Sequence, residues 1–297
     1  MVPGQSFNEK SAACRHGPAD GTALTRKPGG ATNDSRCDRT RSSTGSLHTR
    51  PAPAFVNQAR RLTVNNWLTN YLLPSVCLLC GNRCPRGRHI DLCPDCTGDL
   101  DVIDRACRRC GAPMSAGVAN DGVCGRCQRH PPAFDRCFAP YAYDGNIGHL
   151  ITRLKYGHKL ACARLLGAML ADRIPTGNRD LPRILIPVPL HPARMRERGF
   201  NQAVEIARAV SRRTGIPLDA DLVRRTRATP SQVELPRRER LKNVRGAFAV
   251  SRAAGWRHVA ILDDVVTTGS TASEIARTLK ASGVKQVSVW AVARTPE

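Results

Sequence analysis

Eight of the thirteen cysteines in this 297-residue chain occur as four Cys-x-x-Cys pairs within residues 77–127. Twelve residues separate the first pair from the second, and thirteen separate the third from the fourth. Such spacing lets two facing turns supply four thiolates to one tetrahedral zinc ion. The segment therefore predicts two four-cysteine zinc ribbons with structural Zn²⁺. The predicted ligands are Cys77, Cys80, Cys93 and Cys96 for one ribbon, and Cys107, Cys110, Cys124 and Cys127 for the other.

Other uses of these cysteines fit the sequence less well. Disulfides need an oxidising compartment, and the sequence contains no recognisable apolar export signal. A redox Cys-x-x-Cys would occur once, and an iron–sulfur cluster is an alternative whose usual spacing is not found here. Pairing in sequence order is favoured over interleaved pairing. Cys84 is a spare thiol whose spacing fits a ligand less well, and Cys137 and Cys162 are interpreted as apolar filler residues.

The first 55 residues differ in composition from the rest of the chain. They are rich in Ser, Thr, Gly, Pro and Arg, and they bury too little apolar surface to offset the entropy of ordering. We expect residues 1–55 to form a disordered tail, with an over-long gene start as the alternative. Residues 56–135 are expected to hold a short amphipathic helix, Leu62–Leu73, and the double ribbon.

The formal net charge of +22 favours polyanionic partners or phosphorylated ligands. The alternative is a compositional bias toward Arg that is spread over a solvated surface. No stretch approaches the ~18–20 apolar residues that a membrane span needs. We therefore expect a cytoplasmic protein.

Strand-like and helix-like segments alternate through residues 136–297. This alternation predicts an α/β domain with a parallel sheet, in which ligands bind at the carboxyl ends of the strands. The predicted strands are Arg183–Leu190, Gly246–Ser251, Val259–Leu262 and Val284–Ala293. The predicted helices are Asn201–Gly215, Ser270–Gly283 and two segments within residues 146–174.

Two adjacent aspartates follow the most apolar of these strands. Asp263 and Asp264 are placed at its carboxyl edge, and the loop Thr267–Thr271 opens the next helix. Backbone amides at a helix N-terminus, with hydroxyls and one glycine, form a cradle for phosphate. The aspartates suit hydroxyl groups or a Mg²⁺-bound ligand beside that phosphate. The local chemistry therefore indicates a ribose phosphate.

The stretch Val259–Thr271 resembles the phosphoribosyl-pyrophosphate fingerprint of type I phosphoribosyltransferases. The resemblance implies that Asp263 and Asp264 hold the ribose 2′- and 3′-hydroxyls and that Mg²⁺ accompanies the ligand. It implies that the 5′-phosphate is enclosed by Val265, Val266, Thr267, Thr268, Gly269, Ser270 and Thr271.

Other segments of the chain resemble a more specific family. Pro187–Ala203, Thr226–Phe248 and Leu154–Gly167, together with the ribbons, resemble the ComF (ComFC) competence family over roughly Val76–Arg294. This resemblance implies a type I phosphoribosyltransferase-like domain over residues 136–297. It also implies a role in the uptake and handling of transforming single-stranded DNA, with DNA-uptake proteins as partners.

Basic residues follow the first strand of the predicted parallel sheet. Arg194, Arg196 and Arg198 are candidates to bind a pyrophosphate, and a solvated basic loop is the alternative. Lys155, at a helix end, is a weaker candidate for the same role, because lysines near helix C-termini are more often surface residues that complement the helix dipole. The long polar segment Thr226–Gly246 is interpreted as a lid or a connector.

No motif in the sequence identifies an acceptor for phosphoribosyl transfer. The protein is interpreted either as a phosphoribosyl-pyrophosphate enzyme or binder, or as a DNA-handling adaptor, and the two roles are compatible. Nucleotide salvage without a DNA role is the alternative, and the ribbons disfavour it. An aromatic content of 4% disfavours base stacking, whereas the charge favours contacts with a nucleic-acid backbone.

Overall fold

The computed structural model describes residues 75–85, 88, 90–115, 122–175, 180–227, 244–252 and 255–296. The predicted tail, the predicted helix Leu62–Leu73 and most of the predicted lid Thr226–Gly246 lie outside these ranges. Among the described residues, no helix combines the length and the apolar character that crossing a bilayer requires.

In each ribbon the first cysteine pair lies in a turn, and the second pair lies at the start of a short helix. Helix α1 (Pro94–Gly98) lies in the first ribbon, and helix α2 (Gly125–Arg129) lies in the second. Gly81 and Gly111 directly follow the first cysteine pair of their ribbons, at φ values of 78° and 70°. Only glycine adopts this left-handed conformation without steric cost, so both turns depend on it.

The chain after the ribbons forms a five-stranded parallel sheet and a separate antiparallel strand pair. The strands are β1 (Arg136–Phe138), β2 (Tyr141–Ala142), β3 (Leu185–Pro187), β4 (Val223–Arg225), β5 (Phe248–Val250), β6 (His258–Val266) and β7 (Gln286–Arg294). The order of the parallel sheet is β1-β7-β6-β3, and β2 also pairs with β7.

Helices cover both faces of the sheet, as a parallel sheet requires. The helices are α3 (Gly145–Lys155), α4 (Leu160–Arg173), α5 (Pro192–Arg198), α6 (Gln202–Thr214) and α7 (Ser270–Ala281). Along β6, Ala260 and Leu262 pack with α3, α4 and α6, whereas Val259 and Ile261 pack with α7 and the β4–β5 pair. All four side chains are fully buried.

The predicted α/β class with a parallel sheet is confirmed, with two corrections. The segment Gly246–Ser251 supplies β5, which pairs antiparallel with β4 and lies outside the parallel sheet. Strand β6 extends to Val266, so Asp263 and Asp264 lie within it and not after its end. The extension follows from β7, which continues to pair with β6 as far as Arg294.

The segment between the two cysteine clusters is hydrogen-bonded directly to the chain at β2. The amide of Ile103 donates to the carbonyl of Pro140 at 2.9 Å, and the amide of Ala142 donates to the carbonyl of Asp101 at 2.9 Å. Strand β1 begins at Arg136, next to the predicted boundary between residues 56–135 and 136–297. This division of the chain into domains stays a prediction.

Candidate functional site

A cavity of about 350 Å³ lies where β3 and β6 end. Its walls come from the loop after β3, helices α5 and α6, the end of β6 and the loop before α7. The residues that we predicted for a sugar phosphate, apart from Arg196, line this one cavity. They are Asp263, Asp264, Val265, Val266, Thr267, Thr268, Gly269, Ser270, Thr271, Arg194 and Arg198.

Arg196 differs from its two neighbours in the basic segment. The segment folds as helix α5, in which residues four apart share a face. Arg194 and Arg198 therefore both reach the cavity, whereas Arg196 is exposed and is not among the residues that line it. The expectation that Arg196 also serves this site is wrong.

The two aspartates of β6 have different electrostatic environments. Asp264 accepts from Lys155, with Oδ2 and Nζ 2.6 Å apart. Burial opposes ionisation of Asp264, but the charge of Lys155 outweighs it and lowers the pKa of this carboxyl. Burial, and then the neighbouring Asp264, raise the pKa of Asp263 well above its ordinary value. The ionised form of Asp264 is therefore favoured, whereas ionisation of Asp263 is opposed by its surroundings.

Lys155, only a weaker candidate in the sequence, is a residue of this site. It is the last residue of α3, its side chain is 22% exposed, and it lines the cavity. The alternative of a surface lysine is wrong, because the fold places the end of α3 against the middle of the site. Sequence spacing gives no signal for this contact, since more than a hundred residues separate Lys155 from Asp264.

Replacing Lys155 with Met is expected to lower the free energy of unfolding by about 2–3 kcal/mol, because it leaves the carboxylate of Asp264 buried without its cation. The lowered pKa of Asp264 means that the pair stabilises the fold above the ordinary aspartate pKa, and that this contribution is lost as the pH falls through the folded-state value. Denaturant unfolding of parent and variant from neutral to acid pH measures the difference.

A matched control for Lys155 is Lys280, whose Nζ lies 2.7 Å from Asp135 Oδ1 in a more exposed pair. Lys280→Met is expected to cost only about 0–1 kcal/mol. Equal losses of stability in the two variants would contradict the special role assigned to Lys155.

The loop before α7 combines a left-handed glycine with two hydroxyls that contact each other. Gly269 has a φ of 73°, and a Cβ at this position would lie 3.5 Å from the ring of Phe134. The hydroxyls of Thr268 and Ser270 are 2.7 Å apart, and the amide of Ser270 donates to Thr268 Oγ1 at 3.3 Å. Thr267–Thr271 is called the phosphate loop below.

Two neighbouring amide side chains complete the wall next to β3. Asn201 Nδ2 donates to the carbonyl of Val188 at 3.0 Å, and its Oδ1 accepts from the amide of Ala203 at 2.9 Å, which fixes the loop after β3 to the start of α6. Gln202 is 3% exposed and lines the cavity. In the described part of the chain its Nε2 has no hydrogen-bond partner, which makes it a buried donor facing a ligand site.

Arg225 also lines the cavity, from strand β4. Its guanidinium carbon lies 5.6 Å from the centre of the Phe248 ring on β5. The antiparallel strand pair thus contributes a positively charged side chain to the cavity wall. The sequence interpretation did not include Arg225, Asn201 or Gln202 as site residues. A short basic strand outside the main sheet gives no recognisable pattern.

The eight paired cysteines form two separate clusters in sequence order. Within each cluster the four sulfur atoms lie within 4.8 Å of one another. Cys80 Sγ and Cys93 Sγ are 3.7 Å apart, and Cys110 Sγ and Cys124 Sγ are 3.8 Å apart. Four thiolates at about 2.3 Å from a tetrahedral zinc ion are about 3.8 Å apart, so both clusters fit Zn²⁺.

Backbone hydrogen bonds lower the pKa of one thiol in each cluster, which favours the thiolate form that binds metal. Burial opposes ionisation of Cys77 and Cys107, but hydrogen bonds from nearby backbone groups outweigh it and lower their pKa values to about 6 and about 7. Cys84, Cys137 and Cys162 are buried and belong to neither cluster. This agrees with their interpretation as spare or filler thiols.

Comparison with known proteins gives matches to both halves of the chain. Residues 68–128 match the double zinc ribbon domain family. The DNA utilization protein YhgH of Escherichia coli (strain K12) is 34% identical over 227 residues, which cover 75% of this chain and 98% of that protein. Competence protein F of Haemophilus influenzae is 32% identical over 210 residues, which cover 68% of this chain and 90% of that protein. The chain belongs to the ComF family.

Solved structures similar to this ComF chain include the glutamine phosphoribosylpyrophosphate amidotransferase of B. subtilis. It is 22% identical, with a TM-score of 0.29, and the match covers 44% of this chain and 26% of that one. The purine phosphoribosyltransferase of Pyrococcus horikoshii is 16% identical, with a TM-score of 0.27, over 43% of this chain and 80% of that one. The fold of this ComF chain is assigned from its own strand order and from its family.

Proposed function

We propose that this protein binds phosphoribosyl pyrophosphate, together with Mg²⁺, in the cavity where β3 and β6 end. The observation that carries the proposal is that the residues predicted for this ligand, with the exception of Arg196, line that one cavity. Titration calorimetry of the zinc-loaded protein with phosphoribosyl pyrophosphate and Mg²⁺ tests it. Absence of binding, with binding intact for a known phosphoribosyltransferase under the same conditions, would refute it.

Each group in the cavity has a role in this proposal. The amides and hydroxyls of the phosphate loop bind the 5′-phosphate, and Asp263 and Asp264 accept from the ribose hydroxyls. Arg194 and Arg198 bind the pyrophosphate, since a guanidinium matches two phosphate oxygens at once. Bound Mg²⁺ would neutralise the negative charge of the pyrophosphate. Catalysis by such a site is positional and electrostatic.

We further propose transfer of the phosphoribosyl group to an acceptor that the site does not identify. The bond between C1 of ribose and the pyrophosphate oxygen breaks, and pyrophosphate leaves with the electron pair. The acceptor bonds to C1 and releases its proton. Pyrophosphate release with single-stranded DNA, compared with free nucleobases, tests the acceptor. Release with free bases alone would favour nucleotide salvage without a DNA role.

We propose that the cellular role is the uptake and handling of transforming single-stranded DNA in the cytoplasm, with DNA-uptake proteins as partners. Relatives over most of the chain carry the names competence protein and DNA utilization protein. A polar groove between the second ribbon and the sheet supports this role. Arg108, Arg109, Arg136 and Lys285 line it together with Asp135 and Asp180, so that cations outnumber carboxylates.

Binding of single-stranded DNA by the full chain is expected to weaken steeply with salt, with a slope near −0.7 per phosphate neutralised. Replacing Arg108 and Arg109 with Glu is expected to reduce this slope by about 1–2 and to weaken binding for all sequences alike, because the contacts are to phosphates. Fluorescence anisotropy with labelled oligonucleotides over a range of salt concentrations measures both effects.

A matched control makes the same change of charge elsewhere. Arg164→Glu with Arg212→Glu alters exposed arginines on α4 and α6 and should change binding less than the groove variant. A chain lacking residues 1–55 separates the charge of that segment from the charge of the groove. Loss of all binding in the shortened chain would contradict the assignment of the groove as the DNA-binding surface.

A further inference from the structure

Arg294, the last residue of β7, has no solvent-exposed surface. Its Nε donates to the carbonyl of Cys110 at 3.0 Å. Its Nη1 donates to the carbonyl of Val266 at 3.2 Å and to the carbonyl of Thr295 at 2.8 Å. A buried guanidinium is costly unless its donors are paired, and here they are paired with carbonyls from three segments.

Two of these carbonyls belong to functional segments. Cys110 is one of the four thiols of the second cluster. Val266 is the last residue of β6 and directly precedes the phosphate loop. One side chain therefore joins the backbone of a zinc ligand to the backbone that carries the loop.

The second ribbon also packs tightly against the sheet near this arginine. The amide of Cys137 in β1 donates to the carbonyl of Arg108 at 3.1 Å. A Cβ on Gly111 would lie 2.9 Å from Cys137 Sγ, closer than packed atoms tolerate. The cluster therefore cannot loosen or shift without disturbing the contacts that hold β1 and Arg294.

We propose that Arg294 is a positioning residue that couples the second four-cysteine cluster to the phosphate loop. Metal bound to the second cluster would fix the position of the Cys110 carbonyl. Because Arg294 donates to this carbonyl and to the carbonyl of Val266, it restrains the position of Val266 as well. The phosphate loop, which begins at the next residue, is thereby kept in the conformation that binds its anion. The identity of that anion, a sugar phosphate, rests on the proposed function. Mutation of residues that orient metal ligands typically costs about 10- to 100-fold in metal affinity or activity, and we expect the effect of Arg294 on the loop to be at the lower end of this range.

The first ribbon supplies a matched control. Arg153 of α3 donates to the carbonyl of Leu78, which lies between the two cysteines of the first turn. This contact is the counterpart of the bond from Arg294 to Cys110. Helix α3 does not carry the phosphate loop, so removal of the first contact should leave the loop unchanged.

Hydrogen exchange of the zinc-loaded, ligand-free full chain tests the coupling. Arg294→Met should keep two zinc equivalents yet speed amide exchange in the peptide spanning Val265–Thr271 by about tenfold. Cys124→Ser, which removes a ligand of the second cluster, should do the same. Arg153→Met and Cys80→Ser should leave exchange in this peptide unchanged.

The double variant Arg294→Met with Cys124→Ser should exchange little faster in this peptide than either single variant, because both act through one contact. Unchanged loop exchange in Cys124→Ser would overturn the proposal. So would unchanged exchange in a folded Arg294→Met variant. If Arg294→Met does not fold, Cys124→Ser compared with Cys80→Ser decides the outcome.

Calorimetry on the same proteins separates this inference from the proposed function. Phosphoribosyl pyrophosphate with Mg²⁺ should bind about tenfold more weakly to Arg294→Met than to the parent. If the parent does not bind this ligand but the exchange pattern holds, the proposed function fails and the coupling stands. If the parent and Arg294→Met bind it equally and exchange equally, the coupling is wrong.

Discussion

Replacing Asp263 with Asn is expected to weaken binding of phosphoribosyl pyrophosphate by roughly 10- to 150-fold, the effect of losing one charge-assisted hydrogen bond. The fold should persist, because Asp263 is the aspartate that has no lysine paired with it in the described contacts. Calorimetry measures the affinity, and thermal unfolding checks the fold. Adding Asp264→Asn should weaken binding further, but it also leaves Lys155 without its buried partner.

The raised pKa of Asp263 gives this prediction a pH dependence. The ionised carboxylate is the better acceptor for ribose hydroxyls, so affinity should increase as the pH rises through that pKa. The ratio of parent to Asp263→Asn affinities cancels titration of the ligand itself. This ratio should increase with pH. Asp221→Asn, at an exposed carboxylate, is the control, and equal affinities for the parent and Asp263→Asn would refute the ribose assignment.

Metal analysis of the purified protein is expected to return about two zinc equivalents per chain, because each four-cysteine cluster has the spacing of a tetrahedral site. A structural zinc ion contributes about 10–16 kcal/mol of apparent binding free energy in small ribbons, so chelation should unfold both ribbons. Circular dichroism should show that the helices of the α/β domain are retained after chelation.

Cys84 offers a control for the metal prediction. It is a buried thiol of the first ribbon that lies outside both clusters. Cys84→Ser should keep two zinc equivalents, whereas Cys80→Ser should lose one. One equivalent in the parent, or iron in place of zinc, would contradict the two-ribbon assignment.

Much of the fold and of the site could be predicted from local sequence patterns. The spacing of the cysteines was sufficient to group them correctly, because each ribbon is closed by residues that are near one another in the chain. The adjacent aspartates and the phosphate loop were also found because they form one continuous stretch. The β5 segment was predicted in the parallel sheet, which is wrong. Its antiparallel pairing with β4 is determined by tertiary contacts, and the sequence of a three-residue strand does not predict its partner.

The residues that sequence reasoning missed are those that reach the site from another element. Arg225 arrives from a strand outside the main sheet, and Lys155, which was only a weaker candidate, arrives from the end of α3. Arg294 looks like any charged residue that ends a strand, yet it is fully buried. The roles of these residues depend on which helices and strands the fold brings together. Neither sequence periodicity nor a local motif predicts those contacts.

The strand–helix–strand unit from His258 to Arg294 has a consequence for the order of folding. It contains the acidic pair, the phosphate loop and the arginine that supports the loop, and β6 and β7 pair along nearly their whole length. Contacts between segments close in the chain form faster than contacts between distant ones. By contrast, β1 pairs with β7 across about 150 residues, from Arg136 to Ser288. The ligand-facing loop thus belongs to a unit whose pairing is local, and the second ribbon docks onto it through slower, long-range contacts.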